Sequence, residues 1–212
     1  STNGLLYTYV FYLIGRTEFN VDEHLLRRII ARWFFMSSLT ARYTSSPESA
    51  MEADLARLRG VTTTEEFVQI LNQVCDTTLT SDFWTITLPN ALATSAAQSP
   101  SLYAYYAALV LLDAKVLFSP QRVADLADPS VHSTKAAIER HHLFPRAYLN
   151  TLGMGQTRDT NQIANFALLE WQDNVKISDR SPAEYVPEFT QKFSGHDLKK
   201  MYRWHALPDG WE

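Results

Sequence analysis

Two histidines stand side by side in Ile138-Glu-Arg-His-His-Leu-Phe-Pro145. Asparagines recur downstream in Asn161-Gln-Ile-Ala-Asn165 and in Asn174-Val-Lys176. A neutral imidazole can take a proton from water or hold a divalent cation. An asparagine amide oxygen is a hard, neutral ligand suited to Mg²⁺ or Mn²⁺. Adjacent side chains on an extended segment point to opposite sides, so one histidine can face a metal and its neighbour a water if the backbone bends locally. The chemistry that joins these roles is hydrolysis at a phosphate, with a metal on the scissile group and a base on the attacking water. His-His pairs also arise by chance, and asparagines are common in loops. Their order carries the weight: His141-His142, then Asn165, then Asn174 with Lys176.

Three elements must position these groups. The segment from Ile138 to Leu143 reads as a strand or hairpin arm, Phe166 to Leu169 as a second short apolar strand, and Trp171 to Lys176 has helical spacing. Together they make a ββα unit. The rest of the chain reads as helices. Residues 4–19 predict a first helix, aromatic on most sides and therefore buried. Asn20 with Glu23 suggests a capping box for a second helix over 21–39, with Leu25, Leu26, Ile29, Ile30 and Phe34 on its apolar face. Arg27, Arg28 and Arg32 fall on the other side, as a solvated surface or as phosphate contacts. Ser46-Pro47 starts a helix that runs to Arg59 with Gly60 as its stop. Thr62 or Thr63 with Glu65 or Glu66 caps another that ends near Thr77. Residues 80–100 read as a short helix and loops, Leu102 to Leu117 as a helix apolar almost all round and central to the core, and 119–137 as short helices and loops. Ser181-Pro182-Ala-Glu184 opens a helix to about Phe193, and Ser194 to Asp197 opens a last one through Trp204.

The expected class is therefore mainly α (α+β): a helical domain over 1–119, then a small ββα unit with flanking helices over 120–212. Composition agrees with an ordered globular chain, at 46% hydrophobic and 20% charged residues. The net charge of -4 argues against a general nucleic-acid coat, and neither half is basic. A locally positive cleft with a metal remains compatible with an acidic total. Cys75 is the only cysteine, so an internal disulfide is excluded; it fits a reducing cytoplasm and reads as a buried thiol. The longest apolar run, Leu5 to Ile14, is about half the length that spans a bilayer, which predicts no membrane association. The chain starts at Ser1, without a signal-peptide pattern, and is expected to be a piece of a longer protein.

The wording His-His-Leu-Phe-Pro…Asn-Gln-Ile-Ala-Asn-Phe-Ala-Leu-Leu-Glu…Asn-Val-Lys-Ile-Ser-Asp-Arg-Ser-Pro-Ala-Glu-Tyr resembles the HNH, or ββα-metal, nuclease half of GmrSD-type restriction proteins. Phosphorothioate-sensing antiphage proteins share that plan. Upstream, Arg32-Trp-Phe-Phe-Met-Ser-Ser-Leu-Thr-Ala-Arg-Tyr43 and Glu52-Ala-Asp54 resemble the helical segment that precedes this nuclease. The resemblance implies His142 as general base, His141 as a metal ligand where many relatives have Asp, Asn174 as the second ligand, and Asn165 as a structural residue holding the site loop by backbone hydrogen bonds. Lys176 would contact phosphate. The neutral ligand pair would weaken Mg²⁺ binding and favour softer ions.

It further implies one divalent metal, Mg²⁺ or Mn²⁺, double-stranded DNA as substrate, and nicking to 5′-phosphate and 3′-hydroxyl ends. A bacterial cytoplasmic antiphage setting is implied too, with an N-terminal nucleotide-hydrolysing domain outside this chain as partner. No Gly-rich phosphate loop occurs in these 212 residues, so this chain itself is expected to hydrolyse no nucleotide. Two other readings stand beside this one: a non-catalytic DNA- or partner-binding module with a degenerate HNH unit, and an RNA-cutting toxin domain.

Other groups get plainer readings. Arg140 and Arg146 flank the histidines and are candidates for phosphate contact, or else solvated surface. Tyr103, Tyr105 and Tyr106 read as core or interface. His24, His132 and His196 lack partners at metal spacing, and His205 with Trp204 and Trp211 reads as tail packing.

Overall fold

The computed structural model describes residues 2–93, 99–126 and 138–212. They are mainly helical, with one two-stranded antiparallel sheet. The chain divides into two units, Ser1–Asn90 and Ala91–Glu212.

In the first unit, α1 (Thr2–Thr17), α2 (Glu23–Leu39), α3 (Pro47–Ala56) and α4 (Thr64–Thr78) enclose a core of Phe11, Leu26, Ile29, Trp33, Phe67 and Leu71. Gly15 lets α1 approach closely. A Cβ there would lie 2.6 Å from Leu26 Cδ1 and 2.9 Å from Phe67 Cε1, inside any tolerable contact. Only a stripe through Gly4, Thr8, Phe11 and Gly15 is buried. Leu5, Leu6, Tyr9 and Leu13 are exposed, so the expectation of an all-round buried first helix fails. The buried face of α2 passes through Trp33, not Phe34, which is 41% exposed. Its cap is Asp22, whose Oδ1 accepts the Leu25 N–H at 3.0 Å; Asn20 sits in the preceding turn at φ 48. Arg32 does not face solvent freely. It donates to Asn72 Oδ1 at 2.9 Å and Asp76 Oδ1 at 2.5 Å, tying α2 to α4.

Thr63 and Glu66 cap α4 reciprocally, as their spacing predicts. Gly60 (φ +81) comes after the turn that ends α3, a conformation glycine adopts at no steric cost. A π-helical turn (Phe83–Thr87) and α5 (Leu88–Leu92) carry the chain past the division at Asn90.

In the second unit, α6 (Pro100–Leu111) is capped by Ser99. A division at 119 would leave this helix with the helical half, but it belongs with the sheet-bearing half: Leu109 packs with Ala114, Val116, Val123 and Leu168. The helix also ends six residues early, because Asp113 turns the backbone at φ 52. Val110, Leu111 and Leu112 are exposed, so α6 is not buried all round.

After α7 (Val123–Leu126), the expected loops at 127–137 lie outside the described residues, with His132 among them. Then come β1 (Ile138–His142), α8 (Arg146–Thr151), α9 (Thr157–Thr160), a 3₁₀ turn (Ile163–Asn165), β2 (Phe166–Glu170), α10 (Trp171–Ile177), α11 (Pro182–Thr190) and α12 (Gly195–Trp204).

β1 and β2 pair from Ile138↔Glu170 to His142↔Phe166. β2 is buried on both faces. Ala167 and Leu169 join Leu143, Ile177, Tyr185, Phe189 and Met201 in one cluster, while Leu168 joins Leu109 and Val116 in another. This alternation is what period-two geometry requires of a strand covered on both sides. Glu184 Oε2 accepts from the Ser181 N–H and hydroxyl, both at 2.7 Å, at the start of α11. No helix among the described residues is long and apolar enough to cross a membrane.

Candidate active site

Local chain geometry brings the ligand candidates together. Glu170 is both the last residue of β2 and the residue that caps α10. The helix therefore starts with no intervening loop, and Asn174 lies one turn into it. His141 sits next to last on β1, 4% exposed. Its Nδ1 is 2.6 Å from Asn174 Oδ1. The Asn174 Nδ2 donates to Glu139 Oε2 at 2.5 Å. Glu139 and His141 are two apart on one strand, so they share a face. The His141 ring meets Tyr185 of α11 edge-on, at 5.9 Å between centroids.

The backbone after the histidines is pinned from several directions. Leu143 N–H donates to Asn165 O at 2.9 Å, and Leu143 O accepts the buried Tyr185 hydroxyl at 2.8 Å. Asn165 Oδ1 accepts the Phe144 N–H at 2.8 Å, while its Nδ2 donates to Phe144 O at 3.1 Å and Thr160 O at 2.8 Å. These three bonds use the Asn165 amide at both ends. They join the turn after β1 to the turn before β2.

His142 takes the other direction. Its Nε2 is 2.8 Å from Asn161 Oδ1, and its ring packs on Phe166 at 4.7 Å. An amide oxygen only accepts, so Nε2 carries a proton. His142 is half-buried. Its Nε2 is thus tied to the Asn161 amide oxygen, which leaves Nδ1 as the nitrogen that could face a water.

Burial pushes the His141 pKa down to about 4, against the raising effect of its bond to Asn174. The ring is neutral at pH 7, the form that binds metals. With Asn174 Oδ1 as acceptor, Nδ1 carries the proton, and the buried Nε2 has no hydrogen-bond partner. Leaving a buried polar atom unpaired costs about 1–3 kcal/mol. Moving the proton to Nε2 would instead set the lone pairs of Nδ1 and Oδ1 facing each other. Only a cation would make that arrangement favourable. An imidazole nitrogen and an amide oxygen are donors that one divalent metal could take in place of this hydrogen bond. Among the described residues no group of three or more His, Cys, Asp and Glu side chains clusters for a metal, so amide oxygen, phosphate and water would have to complete the coordination.

The basic candidates are more dispersed. The Arg140 guanidinium lies 4.4 Å above the Phe166 ring. Arg146 is exposed at the first position of α8. Lys176 is exposed and 3.5 Å from Asp173 Oδ1, one turn back on its own helix. His205 is buried rather than part of any site: Nε2 donates to Lys115 O at 2.9 Å, and Nδ1 is 3.3 Å from the Tyr105 hydroxyl.

Two side chains at the site received no role from the sequence, Glu139 and Asn161. Glu139 had a usable signal, since i and i+2 on a strand face the same way. Asn161 had none, because its partner lies across a turn. Comparison with known protein families, curated proteins and solved structures gave no match.

Proposed function

We propose that this chain is a metal-dependent DNA endonuclease domain of the HNH type that nicks double-stranded DNA. The observation that carries this reading is the meeting of a strand histidine with a helix asparagine, His141 Nδ1 to Asn174 Oδ1 at 2.6 Å, beside a second histidine whose Nε2 is held by Asn161. In this reading His142 Nδ1 takes a proton from water while Asn161 holds Nε2–H. The water oxygen attacks phosphorus, the P–O3′ bond breaks, the leaving O3′ takes a proton from solvent water, and the products carry 5′-phosphate and 3′-hydroxyl ends. A divalent cation held by His141 and Asn174 supplies positive charge to the phosphate and the leaving oxygen. Asn165 fixes the turn that aims His142. Arg140, Arg146 and Lys176 contact backbone phosphates. One such site cuts one strand. The resemblance extends the reading to a bacterial, cytoplasmic antiphage or restriction protein whose nucleotide-hydrolysing domain lies outside this chain.

A supercoiled-plasmid assay with Mg²⁺ or Mn²⁺ tests it. The parent should convert plasmid to open circles, chelator should abolish this, and His142→Ala should slow it by about 10²–10⁴-fold, the usual worth of a general base. Equal rates in both proteins would sink the assignment of His142. A parent inert on plasmid yet binding it would favour the non-catalytic module, and competition by RNA would favour the toxin reading.

A further inference from the structure

Glu139 is the only carboxylate that the described contacts place against the ligand pair, and its position is specific. The Asn174 amide is bracketed, with Oδ1 at 2.6 Å from His141 Nδ1 and Nδ2 at 2.5 Å from Glu139 Oε2. An ionised carboxylate accepts but cannot donate. It therefore demands the NH₂ end of the amide, and the carbonyl end must turn toward His141. Without that demand, an amide beside a protonated or unprotonated imidazole could present either end. Among the described residues no Lys or Arg forms an ion pair with Glu139. Its negative charge stands half-buried beside two neutral ligands. A carboxylate in such a place can balance the charge of a bound cation.

Building on the cation site of the proposed function, we infer that Glu139 is its positioning residue: it locks the Asn174 oxygen toward the metal and gives the neutral His141–Asn174 pair its negative charge. The pair is then less handicapped toward Mg²⁺ and Mn²⁺ than its ligands alone imply. Partners that orient metal ligands commonly change metal affinity by about 10- to 100-fold.

The test measures Mn²⁺ binding by electron paramagnetic resonance on the full 212-residue chain without DNA, with circular dichroism confirming that each variant is folded. Glu139→Gln keeps an acceptor for Nδ2 but loses the charge; Glu139→Ala loses both. Asn174→Ala is the control for the site itself. The expected order of affinity is parent, then Glu139→Gln, then Glu139→Ala, with the last weaker than parent by at least about tenfold. A purely structural role for Glu139 would lower stability without producing this order.

If Asn174→Ala abolishes binding while Glu139→Ala binds like parent, the inference about Glu139 is overturned and the cation site stands. If Glu139→Gln falls as far as Glu139→Ala, the amide-locking half is overturned and the charge remains. If the parent binds no Mn²⁺, or Asn174→Ala binds as parent does, the cation site itself fails and Glu139's role with it.

Discussion

A buried polar cluster in the first unit and one in the second are built on opposite terms. In the first unit Asp54 has a fully buried side chain. It accepts from Arg42 Nε at 2.8 Å, Arg42 Nη2 at 2.5 Å and the Tyr43 hydroxyl at 2.8 Å. Arg57 Nε also lies 3.8 Å from Oδ1, so the carboxylate is fully compensated and both its oxygens are used. The Asp54 carboxylate raises the Arg42 pKa, and burial pushes Tyr43 far above its ordinary range. In the second unit, Glu139, Asn174 and His141 form a chain of similar length, but Nε2 of His141 is unpartnered and no described cation meets Glu139. The closed cluster satisfies its buried charge, whereas the open one is kept at a cost in stability.

The largest effect should come from opening the closed cluster. Asp54→Ala would strand a mostly buried guanidinium and the Tyr43 hydroxyl, and should destabilise the first unit by about 3–5 kcal/mol. For a chain of this size that lowers the melting temperature by roughly 10 °C, readable by circular dichroism. Mn²⁺ affinity per folded molecule should not move. A loss below about 1 kcal/mol would mean that the Asp54 cluster is an ordinary surface ion pair and not a closed, structural one.

How much of this contrast is legible in the sequence depends on the range of the interactions. The ββα unit is legible, since β1, β2 and α10 each carry their own pattern and are short. The Thr63–Glu66 box is legible because caps are local, whereas α3 ends at Ala56 with Arg57 as its cap and not at Arg59 before Gly60. The end of α6 is not: residues 112–118 continue an apolar pattern, and only the φ of Asp113 stops the helix. The buried face of α2 differs by one residue from the expected one, Trp33 in place of Phe34, and one residue on a helix is about 100° of rotation. Arg32 has the sequence pattern of free surface, but Asn72 and Asp76 meet it from another helix. Glu139 and Asn161 belong to the same class. Their roles are pairings between elements, which no local pattern encodes.

A second, smaller test compares two buried histidines of one unit. His205 has both nitrogens partnered, by Lys115 O and the Tyr105 hydroxyl, whereas His141 has one. Burial pushes the pKa of each down to about 4 from an ordinary 6.5. Between those values the unfolded chain binds a proton that the folded chain refuses. Stability therefore rises with pH from about 4 to about 6.5 and is fully present above. Each histidine contributes at most about 3 kcal/mol to that slope. His205→Gln should lower stability at pH 7 and flatten the rise between about pH 4 and 6.5 in urea unfolding. An unchanged slope would show that His205 is accessible to protons in the folded state.

The smallest expected effect bears on how the open cluster's neighbour is aimed. If Asn161 fixes the tautomer of His142, then Asn161→Ala should lower the nicking kcat by roughly tenfold, about 1.4 kcal/mol in the barrier, with little change in KM. Imidazole ¹⁵N shifts should show Nε2–H on His142 in the parent and a mixture in the variant. Asn161→Asp keeps an acceptor at the same place, so it should retain both the rate and the tautomer. A merely structural Asn161 gives a different signature: stability falls in Asn161→Ala, yet the tautomer and kcat per folded molecule stay as in the parent. That result would leave His142 to be oriented by Phe166 packing alone, and the distinction between a site and its scaffold would then run through the sheet rather than through the turn at 161–165.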